Sequence, residues 1–181
     1  MSLYRLLESI SNKYKKWHIK AQTRYLNKQI KSDNFIKFGY KVRIANIENI
    51  KFGKNIFIGE NAFIRAAGGL EIGNNVVISR NLLLYTQSHN YQGELIPYDN
   101  TFIYKKVVIE DNVWIGMNVI IAPGTHIEEG AIIGIGARIF GRIPKCAIIG
   151  SDGKILKYRD LEKYEKLKKE NKIANDNGIL I

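Results

Sequence analysis

Cysteine is almost missing from this chain: Cys146 stands alone among 181 residues. That excludes an internal disulfide and a cysteine-built zinc centre, and a single thiol with no base near it in sequence reads as a buried packing residue. No apolar stretch is long enough to cross a bilayer, and the opening MSLYRLLESISNKYKKW has neither a continuous apolar core nor a small-residue cleavage site. The expectation is a soluble, unprocessed, cytoplasmic protein. Basic stripes interleaved with stacking aromatics are lacking too, which argues against nucleic acid as a partner. Histidine is scarce, with His18, His89 and His126 the only three.

Positive charge, by contrast, is abundant. Lys and Arg number 28 against 17 Asp and Glu, a formal net +11. Much of the excess lies at the ends, in Arg5, Lys13, Lys15, Lys16, Lys20, Arg24, Lys28 and Lys31, and again from Lys154 to Lys172. Such a balance suits an acidic membrane surface or a phosphate-bearing cofactor or substrate. The apolar fraction, 45%, is that of an ordinary folded domain.

Prolines number only three, but sixteen glycines recur in phase with aliphatic residues. The phase is six. One apolar residue per repeat gives Phe38 and Ile44, then Phe52, Ile58 and Ile64, then Ile72, Ile78 and Leu84, and after a break Ile109, Ile115, Ile121, Ile127, Ile133 and Ile139. Two residues before each comes a small or aliphatic side chain, and a glycine often follows. Alternation over two residues and then a turn describes a very short strand and a corner, not a helix. Three such strands close a triangular coil of about 18 residues, and stacked coils form a parallel β-solenoid with aliphatic columns inside. The expected class is mainly β: a triangular parallel prism over 35–150, a basic helical segment over 1–34, and a turn, short helix and tail over 151–181.

The six-residue step lengthens after Ile44, after Ile64 and after Leu84, each time one full coil after the last. All three interruptions therefore leave one corner. The short RAAGG excursion, Arg65–Gly69, is expected one strand spacing below the root of a long one over 85–106. His89 sits on that long excursion. His126 and Trp114 each precede an inward isoleucine and so face outward.

At the front, Leu3, Leu7, Ile10, Tyr14, Trp17, Ala21 and Tyr25 follow a three-four spacing with lysines between them, an amphipathic helix expected to cover the open end of the first coil. Its basic polar face with Trp and Tyr also suits the inner membrane surface.

The repeat, the SHN excursion and the following VVIEDNVWIGMNVIIAPGTHIEEGAIIGIGARI together resemble the hexapeptide-repeat acyltransferases, in the branch that acetylates sugars and polysaccharides. The resemblance covers about Phe38 to Arg159. It implies a left-handed β-helix, a homotrimer, and acetyl-CoA lying between neighbouring prisms. By position it implies a catalytic role for His89, acceptor contacts from Asn81 and Arg65, and a cleft-lining role for Trp114 with Gly116 beside it. It also implies backbone contacts to the pantetheine arm from Gly134, Ile135, Gly136 and Ala137, and phosphate contacts from Lys154 and Lys157. The family's Thr-Lys pair is Phe140 and Gly141 here, which leaves Arg138 or Arg142 to supply the charge. Tyr91, on the long excursion, suits either a sugar face or a neighbouring protein surface. No metal is implied: a three-histidine zinc site needs one ligand more than the prism's His89 and His126.

Acetyl transfer to a sugar hydroxyl needs a base that titrates near neutrality, and His89 is the one histidine on an extruded loop. The resemblance thus implies direct attack with His89 as general base, without an acyl-enzyme, and with oxyanion donors expected around Gly116 and Met117. Two other readings fit the same chain: an N-acetyltransferase of a nucleotide-linked amino sugar, and a catalytically silent trimeric scaffold.

Overall fold

The computed structural model describes residues 3–30, 34 and 36–174. Most strands are only two or three residues long, and most are followed at once by a corner. Three parallel sheets result. The first face carries Lys37–Phe38, Phe57–Ile58, Val77–Ile78, Trp114–Ile115, Ile132–Ile133 and Ala147–Ile149. The second carries Arg43–Ala45, Phe63–Arg65, Leu83–Tyr85, Ile120–Ile121 and Arg138–Ile139. The third carries Ile50–Phe52, Leu70–Ile72, Val107–Ile109, His126–Ile127 and Arg142–Ile143.

Every expected inward position joins the core, and Ile58, Ile64, Ile78, Leu84, Ile115 and Ile127 are fully buried. Ile44 and Phe52, in the coil nearest the open end, are only partly buried, since fewer neighbours stack on them. The residues two earlier are buried as well, from Ile50 through Ala137. The solenoid runs two strands beyond the expected repeat, with Ile143, Ala147 and Ile149 buried.

Corners are made by residues with positive φ. Asn61, Asn81, Asn118 and Gly136 form one such column, between the first and second faces; Asn55, Asn75, Asn112, Gly130 and Cys146 form another, between the third and first. Asparagine tolerates the left-handed region better than other side chains because its amide can bond locally. Here the amides bond up the column: Asn55 donates to Asn75 (3.0 Å), Asn75 to Asn112 (3.0 Å) and Asn81 to Asn118 (2.9 Å). Cys146 takes the last place in its column, completely buried, and desolvation pushes its thiol pKa up. That is the expected packing role.

The N-terminal helix α1, Leu3–Gln29, does cover the open end, but through a face other than its apolar stripe. Backbone polar groups alternate in direction along the first coil: Lys37 N–H donates to Ile56 O (3.0 Å) of the second coil, while the carbonyls of Ile36, Phe38 and Val42 point toward the open end. Polar side chains of α1 satisfy them: Gln22 donates to Val42 O, Thr23 to Phe38 O (3.4 Å) and Asn27 to Ile36 O (2.8 Å). Leu26 and Ile30 supply the apolar plug. At the other end Ile155–Tyr158 pairs antiparallel with Ala147–Ile149, and α2, Leu161–Lys169, starts at Asp160, whose carboxylate accepts from the Lys163 amide (3.0 Å). The expected tail, Asn175–Ile181, lies outside the described residues.

Ala45, Arg65 and Tyr85 share one register at the end of the second face. All three interruptions therefore leave the corner between the second and third faces, as the spacing predicts.

Candidate active site

The long excursion is tied down before it reaches solvent. Thr86, fully buried, lies at its root. Its amide donates to Arg65 O (3.0 Å), its hydroxyl also donates to Arg65 O (3.2 Å) and accepts from the Gly68 amide (2.7 Å), and its carbonyl accepts from the Lys105 amide (2.9 Å). The RAAGG loop is thus the floor of the long excursion. Above Thr86 the chain forms an antiparallel arm, Gln87–His89 against Phe102–Tyr104, with His89 opposite Phe102.

His89 is exposed, and aromatic rings hold it. Tyr98 stacks on the imidazole at 3.8 Å with 20° between planes, and Phe102 lies 4.7 Å away at 36°. Among the described residues the imidazole has no hydrogen-bond partner. The loop beyond is organised on Asp99, which accepts from the Thr101 hydroxyl, the Glu94 amide (2.9 Å) and the Thr101 amide (2.8 Å). These bonds, that from the Thr101 hydroxyl foremost, hold the Asp99 carboxyl below its usual pKa. Tyr91, Leu95 and Ile96 stand exposed on the same loop.

Trp114 points out of the prism, as its place before Ile115 requires, and is 44% exposed. It sits on an apolar row of the first face with Phe57 and Val77. One groove beside it continues to Tyr164 and Leu167 of α2, and another to Ile19 and Thr23 of α1.

At the corner between the first and second faces, Ile135 is exposed, and a side chain placed at Gly136 would meet no atom within 4 Å. The Gly134, Gly136 and Ala137 amides donate to Ile149 O, Met117 O and Gly134 O. The Gly116 amide, an expected oxyanion donor, donates to Ile133 O (2.8 Å) and is not free for that task. Next to this corner Arg138 points outward on the second face, and the loop bearing Lys154 passes over it, since a side chain at Gly153 would come within 2.5 Å of Arg138 O. Lys157 lies on the antiparallel strand. Among the described residues Arg138, Lys154 and Lys157 have no carboxylate partner.

Arg142 lies elsewhere, on the third face, and is paired with Glu128, whose pKa is lowered by the Lys145 amide and by Arg142. Asn81 lies in the asparagine column rather than at the His89 corner. His126 faces outward on the third face, 2.6 Å from Glu110. The structure therefore brings Arg65 to the root of the His89 excursion, and groups Gly134–Arg138 with Lys154. It leaves His89 on one corner of the prism and Trp114 on another side of it.

Two family models match this chain: one described as the bacterial transferase hexapeptide (six repeats), over residues 106–141, and one as the hexapeptide repeat of succinyl-transferase, over 50–86. Both matches are to hexapeptide-repeat models, and the repeats they span are those that build the three faces. It is 37% identical over 107 residues to a putative acetyltransferase of Schizosaccharomyces pombe, covering 59% of this chain and 51% of that one. To the putative lipopolysaccharide biosynthesis O-acetyl transferase WbbJ of Escherichia coli it is 31% identical over 128 residues, covering 70% and 58%. A hexapeptide-repeat acetyltransferase of Vibrio cholerae, solved with acetyl coenzyme A, superposes with a TM-score of 0.57 at 27% identity, over 65% of this chain and 64% of that one. The chain thus spans between half and two thirds of the length of these relatives.

Within this hexapeptide-repeat framework, three residues of the site escape a reading by repeat alone: Thr86, Tyr98 and Phe102. The alternation in FIY, opposite QSH across the loop, is the period-two signal that marks the arm and pairs Phe102 with His89. Nothing in the spacing announces the Tyr98 stack.

Proposed function

We propose that the protein is an acetyl-CoA-dependent O-acetyltransferase that acts on a sugar hydroxyl, with His89 as general base. The observation that carries this reading is His89 itself: an exposed imidazole on a doubly anchored arm, held by two aromatic rings, with neither nitrogen hydrogen-bonded among the described residues. In the proposed step an imidazole nitrogen takes the proton of the acceptor hydroxyl as its oxygen bonds to the acetyl carbonyl carbon. The carbon–sulfur bond then breaks, and the imidazolium returns the proton to the departing thiolate. No covalent enzyme intermediate is needed, and Cys146, buried with a raised pKa, is not available as a nucleophile.

The co-substrate fits the corner near Gly136. Open space at that glycine lets an extended chain approach the backbone, and Arg138, Lys154 and Lys157, without a carboxylate partner among the described residues, are cations suited to phosphates. Arg142 is a poorer candidate because Glu128 neutralises it.

A second copy completes the site in this reading. His89 and Trp114 lie on different sides of one prism, so one acceptor can touch both only if they come from different chains. The exposed loop residues Leu95 and Ile96 and the apolar row at Trp114 are surfaces that association would bury. A homotrimer is the arrangement proposed.

Acetyl-CoA is to be offered with free sugars, nucleotide-linked sugars, amino sugars and glycan fragments, and thiol release followed. Turnover with sugars that carry only hydroxyls is expected. Release with amino sugars alone would replace O-transfer by N-transfer, and no release with any acceptor would favour a silent scaffold.

A further inference from the structure

Helix α1 presents two faces, and the prism uses the less apolar one. Its contacts with the solenoid come from Lys15, which pairs with Glu60 (2.8 Å), from His18, whose ring meets Tyr40 at 4.8 Å, and from Gln22, Thr23, Leu26 and Asn27. At about 100° per residue, the centre of the stripe Leu3, Leu7, Ile10, Tyr14, Trp17 and Tyr25 lies more than a third of a turn round from the centre of that docked face, with His18 at the border between them. Those side chains remain between 55% and 72% exposed. Apart from Tyr14, whose ring lies 6.1 Å from those of Trp17 and His18, the stripe has no partner among the described residues, and it stands outside the solenoid core and outside the proposed active site.

Charge decides what suits it. From Leu3 to Gln29 the helix has seven Lys or Arg and one acidic residue, Glu8. Lys13, Lys16 and Lys20 fall together on the flank between the docked face and the stripe, so a single surface offers apolar side chains, a tryptophan, tyrosines and a row of cations. A second copy is a poor match, because pairing stripe to stripe would bring two strongly basic helices together. Continued at the same spacing, the stripe also reaches Arg24 and Lys28, where a helix–helix seam needs apolar residues. An anionic bilayer surface satisfies both halves at once: apolar residues enter the boundary of the acyl chains while cations meet acidic headgroups.

We infer that α1 docks the protein on an anionic phospholipid surface through Leu3, Leu7, Ile10, Tyr14 and Trp17, with Lys13, Lys16 and Lys20 on the headgroups. The inference is independent of the acetyl-transfer reading. Docking of this kind holds the protein beside lipid-linked or membrane-borne glycans, and free acceptors remain usable.

The full chain with Trp114→Phe leaves Trp17 as the one fluorescent tryptophan. It is to be titrated with phosphatidylcholine vesicles, with and without about a third phosphatidylglycerol. Blue-shifted Trp17 emission and co-sedimentation are expected with the anionic vesicles only, weakening as salt rises. The triple variant Lys13→Glu, Lys16→Glu, Lys20→Glu is expected to lose about a hundredfold in vesicle affinity. Leu7→Asp with Ile10→Asp is expected to abolish the blue shift. Neither set touches the docked face, so circular dichroism and thermal unfolding should match those of the parent. Equal binding to neutral and anionic vesicles would overturn the inference, as would no binding at all. Growth of the oligomer with concentration, lost in Leu7→Asp with Ile10→Asp, would assign the stripe to a second copy instead.

Discussion

Replacing Thr86 with valine tests how the solenoid supports its long excursion. Valine matches threonine in shape, so the core volume at this buried position hardly changes. What disappears is the hydroxyl, which accepts from the Gly68 amide at 2.7 Å and donates to Arg65 O at 3.2 Å. Arg65 O keeps the Thr86 amide as donor at 3.0 Å. Among the described residues Gly68 N–H keeps no other acceptor, and the backbone is closely packed here: a side chain at Gly68 would come within 2.2 Å of Thr86 O. An orphaned, half-buried amide costs about 1–3 kcal/mol. At about 2 kcal/mol and this chain length, the melting temperature falls by roughly 4–8 °C. Differential scanning calorimetry with Thr86→Ser as control separates hydroxyl from methyl, and the serine variant should recover most of the loss. A valine variant that melts within about 1 °C of the parent would refute the reasoning, since the hydroxyl would then contribute nothing.

Three further outcomes follow from the site. Tyr98→Ala removes the ring stacked on His89, and with an aromatic pair worth about 0.5–1.5 kcal/mol, acetyl transfer should slow by about 2- to 10-fold while Tyr98→Phe stays near the parent rate. Glu129 is pushed up by burial, but the Lys168 and Tyr164 hydrogen bonds outweigh that and leave its pKa depressed. Its contribution to holding α2 is therefore present above the ordinary glutamate pKa and lost as pH falls through the lowered value. Hydrogen-exchange protection factors over Leu161–Lys169, corrected for the intrinsic pH dependence of amide exchange, should fall below about pH 4 relative to pH 7, and Glu129→Gln should show the lower protection already at pH 7. If neighbouring chains share each site, His89→Ala and Trp114→Ala chains, each impaired alone, should regain activity when unfolded and refolded together, whereas no regain would place both residues in sites of a single chain.

Much of this architecture is legible in the residues because the solenoid is one-dimensional: a phase of six fixes which side chains face in, and the lengthened steps after Ile44, Ile64 and Leu84 fix one corner. The excursion's internal order is less legible. Asp99 and Tyr98 act through loop geometry that has no period, so their bonds to Thr101 and their stack on His89 leave no repeating trace. The docking of α1 is also hidden. A three-four stripe shows that a helix is amphipathic but not which side meets the prism, and here the open end presents carbonyls, which Gln22, Thr23 and Asn27 satisfy better than leucines do. Gly116 teaches a related lesson: a glycine at a turn suggests a free amide, but coil stacking commits that amide to Ile133.

The most direct test of the account is the rate of thiol release from acetyl-CoA in the presence of a competent sugar acceptor, compared for the parent and His89→Ala at matched folding and oligomeric state. General-base catalysis predicts a fall of about 10²- to 10⁴-fold in kcat/KM. Equal rates for the two proteins would contradict the assignment of His89 and with it the proposed mechanism.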